Sequence, residues 1–391
     1  LEDKNEHIVN FDMLEMAYKF TTVNFNYYDV VNVMSKGPNP RGKKRNLYKT
    51  LDGKELEKRA LKLYGSEESF KKAVALVDSS KKNEFFEEIE EYYPELYEKL
   101  SDGKETFTIP GLVQTKTIIA EGKEEGTSDQ TEDMTPQGLA LVENYLIISA
   151  YSKSQSHHSV LWFVDRHSGD YLKTIVLPTI SHVGGIAYDN KEKRLWITTT
   201  DENSASQISA LDFDTLKQED FGQSDQEVAF DHQYYLAEIE KSSYMTYADG
   251  HLLVGYFDKE EQGHLGIFTL DEYGFPIQKS DAEDSYLPQQ VVDTPEQVQG
   301  VAITDQQVIF SQSYGNKDSK VLYFENPGLD QLPHFEEDQQ LQQELVVPPY
   351  LQQIVVEDQS LYLLFESSAF KYRLNPTVTS IDRVIKIQLG D

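Results

Sequence analysis

The chain has 391 residues, 39% hydrophobic and 12% aromatic, enough for one large domain with its own core and a smaller region beside it. A formal net charge of −31 sets it against nucleic acid and anionic lipid, and the absence of cysteine excludes disulfides, thiolate metal sites and cysteine nucleophiles. No apolar run approaches the roughly 18 residues of a membrane-spanning helix.

The charge is uneven. Residues 1–105 hold 18 Lys+Arg against 21 Asp+Glu, and residues 106–391 hold 18 against 46. A strongly solvated acidic surface accounts for this, with calcium binding as the sharper alternative. The first residues, LEDKNEH, contain no basic-then-apolar leader, so an exported form would carry its signal or anchor outside this stretch.

In chain order, residues 11–34 are ambiguous. FDMLEMAYKF has helical texture, while TTVNFNYYDVVNV is rich in β-branched and aromatic residues. GPNPRGKKRN, 37–46, reads as an exposed basic loop. Residues 51–100 read as helices. Phe70, Ala73, Val74 and Val77 fall on one face behind Ser66 as N-cap, and Phe85, Phe86, Ile89, Tyr92, Leu96 and Leu100 continue the period. Pro94 should kink or divide that second stretch. Helical periodicity ends near residue 105, which places an N-terminal α-helical accessory region at 1–105.

From 106 to 391 a different grammar takes over. Aligned on Gly185 of SHVGGIAYD, four further segments carry the same shape, anchored on Gly138, Tyr244, Gly300 and Gln353 at spacings of 47, 59, 56 and 53 residues. Each anchor opens a strand–turn–strand pattern, and a third strand follows in VLWFVD, ISALDF, LGIFTL, VLYFEN and RVIKIQL. YLKTIVL, 171–177, supplies a fourth, outer strand. Such units at a period of about 50 residues predict a mainly β fold, a five-bladed β-propeller. The 59-residue second unit leaves a six-bladed alternative open. The fifth unit lacks its outer strand, and LVQTKTIIA, 112–120, is the candidate to complete it. Gly184 and Gly185 should allow close backbone approach where the first strands converge.

The segments TPQGLALVENYLIISAYS, YLKTIVLPTISHVGGIAYD, EQVQGVAITDQQVIFSQSYG and LYLLFESSAFKYR resemble uncharacterised secreted β-propeller proteins of Gram-positive bacteria. Those are similar in turn to the gluconolactonase/NHL-type propeller superfamily. The resemblance implies a propeller over residues 106–391 and an extracellular or cell-surface location. That superfamily includes metal-dependent lactonases, esterases and binding modules.

One mouth of a propeller is built from residues just before each first strand and just after each second strand. Here these supply Gln137, Tyr151, His182, Glu240, Lys241, Glu296, Gln299, Tyr314, Tyr350 and Gln352 as candidate ligand contacts. Glutamines suit sugar hydroxyls or amides, and tyrosines suit an apolar ligand face. His182 is a candidate base or a hydrogen-bonded channel histidine. Glu240, Glu296 and Glu366, from three units, are candidates for a divalent cation such as calcium or for an acid/base pair. His157 and His158 lie in a polar loop without metal-ligand spacing. G-x-S-x-G, H-E-x-x-H and P-loop patterns are absent. Two readings stand. One is a binding module for a small molecule, a glycan or a cell-envelope protein. The other is a metal-dependent hydrolase or lactonase acting at the same mouth.

Overall fold

A computed structural model describes residues 85–281, 284–372 and 380–390. The expected helix through Phe70 and Val77, the ambiguous stretch 11–34 and the basic loop 37–46 lie outside the described residues. Residues 85–92 are helical, and a short helix, α1 (Pro94–Glu98), restarts after Tyr93. Pro94 sits at the first position of the new helix, where its missing N–H costs nothing, so it divides the stretch.

Strands β1 (Thr106–Thr108), β2 (Thr115–Ile118) and β3 (Ser128–Thr131) precede the repeating part. Blade 1 is β4 (Met134–Val142), β5 (Tyr145–Ser152), β6 (Val160–Asp165) and β7 (Tyr171–Val176). Blade 2 is β8 (Ile186–Asp189), β9 (Arg194–Thr200), β10 (Ser206–Asp212) and β11 (His232–Leu236). Blade 3 is β12 (Tyr244–Ala248), β13 (His251–Tyr256) and β14 (Gln262–Thr269), closed by β16 (Gln290–Glu296); the intervening β15 (Ser285–Tyr286) adds in parallel to the outer edge of blade 2. Blade 4 is β17 (Val298–Ile303), β18 (Gln307–Gln312), β19 (Ser319–Glu325) and β20 (Gln343–Val347). Blade 5 is β21 (Leu351–Glu357), β22 (Ser360–Phe365) and β23 (Arg383–Gln388), with β1 on its outside.

The innermost strands touch in the cyclic order β4, β8, β12, β17, β21 and back to β4, so five sheets ring one axis. This settles five blades against six. The long second unit places its extra residues in α2 (Phe213–Gln218) and α3 (Phe221–Ser224), between β10 and β11. Lys173 Nζ donates to the carbonyls of Leu216, Lys217 and Glu219 at 2.5–3.0 Å and so satisfies the end of α2.

The closing strand differs from expectation. Residues 115–118 do form a strand, but they pair with β3 as a separate hairpin. Blade 5 is completed instead by β1, with Thr106 opposite Ile385 and Thr108 opposite Arg383. The chain reaches that edge from α1. Gln388 N–H donates to the Lys99 carbonyl at 2.7 Å and Ser101 N–H to the Lys386 carbonyl at 3.2 Å, so the residues after the helix are already laid along β23.

Each blade is buried on both faces, which is why its strands read as continuous apolar runs. In β6, Val160, Trp162 and Val164 join the cluster shared with blade 5, while Leu161 and Phe163 join the one shared with blade 2. Similar clusters fill the seams between blades 2 and 3, 3 and 4, and 4 and 5. The helical residues Phe85, Phe86, Ile89 and Leu96, with Leu100 just beyond α1, belong to the last of these, packed with Tyr323, Leu345, Leu363 and Ile387.

The hub is crowded as the sequence implied. A Cβ on Gly184 would lie 2.1 Å from the Ser243 carbonyl oxygen, and one on Gly185 2.3 Å from the Met245 nitrogen. Both obstacles are backbone of blade 3. Gly185→Ala should therefore cost about 3 kcal/mol or more, because neither wall can relax alone. Denaturant unfolding checks this, and a midpoint equal to wild type would contradict it.

Candidate functional site

A single side chain holds the centre of the ring. Gln353 falls in a bulge of β21, between the paired residues Leu351 and Ile354, and the extra residue turns its side chain to the axis. Its Oε1 accepts the N–H of Leu139 and of Ile186, both at 2.9 Å. Its Nε2 donates to the carbonyls of Ile186 and Met245 at 2.6 and 3.1 Å. All four amide bonding positions are used, and they tie blade 5 to blades 1, 2 and 3. The residue is 1% exposed, so the axis is blocked at this level and a ligand can only enter a mouth.

Beside this plug, blades 1, 2 and 5 bring five of the expected residues together. Gln137 Nε2 donates to Glu366 Oε2 at 2.6 Å; both residues are buried, Gln137 on β4 and Glu366 just past β22. The ring of Tyr151, near the end of β5, stacks on His182 with centroids 4.1 Å apart. Tyr350 precedes β21 with φ +66° and stacks on Tyr372 at 4.4 Å. Its carbonyl accepts the Glu366 N–H at 3.0 Å, which fixes the carboxyl-bearing turn against the aromatic pair.

Three further residues belong to this mouth. Lys153 Nζ donates to Tyr151 Oη at 2.9 Å, Lys371 Nζ lies 5.6 Å from the Tyr372 ring centre, and Tyr372 itself forms the second stack. The signal for Lys153 was strand length: β5 runs to Ser152, so the first residue beyond it is Lys153. Lys371 and Tyr372 follow the turn after Glu366 and carry no periodic signature.

The remaining candidates are placed elsewhere. Glu240 is exposed and acts on Tyr256, whose hydroxyl it helps hold in the protonated form. Glu296 is exposed at the end of β16, and Tyr314 is 45% exposed in the loop after β18. Gln299 donates to the Ser313 carbonyl at 3.3 Å, and Gln352 is buried beside the plug, its carbonyl accepting from Ser311 Oγ at 2.7 Å. Lys241 faces His182 across the seam between blades 2 and 3. Among the described residues no three His, Asp or Glu side chains stand together as a metal site, so Glu240, Glu296 and Glu366 do not form the expected cation cage. Equivalent positions in a ring of blades are spread around its circumference, and only Glu366 turns inward. The loop histidines are satisfied locally: His157 Nε2 meets Asp129 at 3.2 Å and His158 Nδ1 meets Glu227 at 2.7 Å.

Burial shapes the electrostatics. It raises the Glu366 carboxyl to about 7, against the opposing pull of Lys153, the Gln137 hydrogen bond and Lys371. Tyr151 and Tyr372 are pushed far above the usual phenol range by burial and by the Glu366 charge, so both remain hydrogen-bond donors. Burial also lowers the Lys153 ammonium. The His182 imidazole falls to about 4 because protein crowds it and Lys153 and Lys241 repel a second proton. The residue nonetheless stays exposed to water. Near neutral pH the mouth therefore presents a neutral imidazole, protonated phenols and a half-protonated carboxyl.

The ring order, the blade topology and the single blocked axis define a five-bladed β-propeller. No protein-family model matches the chain, and no curated protein sequence matches it. Among solved structures it is similar to a glutaminyl cyclase from Myxococcus xanthus, at 11% identity and TM-score 0.41 over 66% of this chain and 93% of that one. It is also similar to a protein from Thermus thermophilus described as a putative oxidoreductase (glucose dehydrogenase), at 12% identity and TM-score 0.38 over 65% and 84%. The WD40 domain of Toxoplasma gondii coronin matches at 10% identity and TM-score 0.32 over 63% and 54%. These are likenesses of fold alone.

Proposed function

We propose that the chain is an extracytoplasmic ligand-binding propeller, and that the mouth around Glu366 recognises a glycan or another sugar-bearing component of the cell envelope. One observation carries this reading: the buried Gln137–Glu366 pair sits beside two stacked aromatic pairs, Tyr151–His182 and Tyr350–Tyr372. A sugar ring offers apolar C–H faces to aromatic rings and hydroxyls to an amide and a carboxyl, so this mixture matches its two kinds of surface. The blocked axis gives such a ligand a floor to rest on. The acidic exterior suits a soluble protein held apart from anionic lipid.

Calorimetric titration with envelope-derived oligosaccharides tests the reading. Gln137→Ala and Tyr151→Ala should each weaken binding by about tenfold or more, roughly 1.4 kcal/mol, with the fold intact by circular dichroism. Variants that bind as wild type does would remove the mouth from consideration.

A further inference from the structure

Resting on that reading of the mouth, we propose that its ligand is anionic: a sugar or polyol bearing carboxylate or phosphate groups. Three blades deliver lysines to this place. Lys153 follows β5, Lys241 precedes β12, Lys259 follows β13 and Lys371 follows β22. Lys153 is anchored on Tyr151, which stacks on His182, and Lys371 lies over Tyr372, which stacks on Tyr350. The Lys153 and Lys371 ammonium groups therefore stand over the aromatic walls, each 5.6 Å from a ring centre.

Among the described residues none of these four lysines comes within ion-pair distance of a carboxylate. That is unexpected for this composition, because residues 106–391 hold 46 acidic side chains against 18 basic ones. Most lysines elsewhere on the described propeller do find carboxylates: Lys320 meets Glu344 at 3.0 Å, Lys386 meets Glu105 at 2.8 Å and Lys217 meets Asp214 at 2.9 Å, while Lys123, Lys173 and Lys317 do not. At the mouth the cations face one another instead. Lys371 and Lys259 both depress Lys153, and Lys153 and Lys241 both depress His182. Lys153 also feels Glu366 and Asp133, neither within pairing distance, and Glu366 is about half neutralised by its proton near neutral pH. The tyrosine hydroxyls and the Gln137 amide add donors. Mutual repulsion of like charges costs stability unless a ligand of opposite charge relieves it, and a donor-rich, cation-lined recess is complementary to carboxylate or phosphate oxygens. The acidic exterior repels anions only at long range, and physiological salt screens that field beyond about 8 Å, while contacts inside a recess are screened less.

The test uses three probes on the purified chain: trigalacturonic acid, sn-glycerol 3-phosphate and the neutral chitotriose, each by calorimetric titration. An anionic probe should bind, with Lys153→Gln and Lys371→Gln each weakening it by about tenfold, while Lys320→Gln leaves it unchanged. Preference for trigalacturonate over glycerol phosphate assigns carboxylate as the recognised group, and the reverse assigns phosphate. If chitotriose binds at least as tightly and the mouth lysines are indifferent to it, the anionic inference falls and the glycan reading survives. If an anion binds but only Lys320→Gln weakens it, the inference falls because the site lies elsewhere. If no probe binds at millimolar concentration, the inference falls, and the panel of Gln137 and Tyr151 variants decides the glycan reading separately.

Discussion

Gln353→Met should lower the unfolding free energy by about 4 kcal/mol or more. Methionine nearly fills the same volume, so no cavity confuses the result. The loss comes from partners left behind. The N–H groups of Leu139 and Ile186 and the carbonyls of Ile186 and Met245 are deep in the hub, and each stranded group costs roughly 1–3 kcal/mol. Gln353→Glu should be nearly as damaging at neutral pH, since a carboxylate replaces the Nε2 donor with an acceptor aimed at two carbonyls. Guanidinium unfolding reads both variants. A Gln353→Met midpoint within about 1 kcal/mol of wild type would mean that the hub is held by packing alone.

Glu366→Gln should be neutral in acid and stabilising above neutral pH. In the folded protein the carboxyl titrates near 7, whereas an unburied glutamic acid titrates near 4.5. Between those values the native state keeps a proton that the unfolded chain has released, so stability falls as pH rises through this window. The penalty is absent below about 4.5 and complete above about 7. Glutamine is neutral throughout, so the variant should match wild type near pH 4 and exceed it by on the order of 2–3 kcal/mol at pH 8. His182 works in the opposite direction. Its folded value lies near 4, below the ordinary 6.5, so the unfolded chain takes up a proton that the native imidazole refuses, and stability falls as pH drops from 6.5 towards 4. The two slopes oppose each other between about 4.5 and 6.5. Wild type should therefore vary less with pH there than Glu366 alone would dictate, the exposed His182 offsetting only part of it, with Glu366→Gln uncovering a rise with pH and His182→Gln steepening the fall. Melting curves from pH 4 to 8 resolve this. Parallel profiles for wild type and Glu366→Gln would show that the carboxyl is ordinary.

Much of this architecture was readable from the residues, because a ring of equivalent blades repeats its chemistry. VLWFVD forms β6 over Val160–Asp165 as read, and YLKTIVL forms β7 over Tyr171–Val176 with its last residue outside the strand. The double glycine before Ile186 meets the neighbouring backbone as its position required. Pairing partners were less visible. LVQTKTIIA has stronger strand propensity than TFT, and it does become β2, but propensity does not say which edge is vacant. The vacant edge of β23 is reached first by the residues leaving α1. Gln353 was legible as an anchor but not as a plug, since only the convergence of four blades gives a lone glutamine four partners. The acidic trio failed for a related reason: similar places in successive units lie at different angles around the mouth. Lys153, Lys371 and Tyr372 are loop residues whose neighbours come from other blades, and no local pattern encodes that.

The handshake between β1 and β23 also sets a timetable. Residues 106–108 must wait for residues 383–385 before their shared ladder can form, so the ring stays open until nearly all of the propeller has been synthesised. Until then, the faces of blades 1 and 5 that meet in the Trp162 and Tyr362 cluster have no cover. Closing so long a loop is entropically costly and slow compared with forming any one blade. The half-made toroid, with its exposed seam, is therefore the species most in need of a chaperone, and the one in which two copies could exchange their terminal strands.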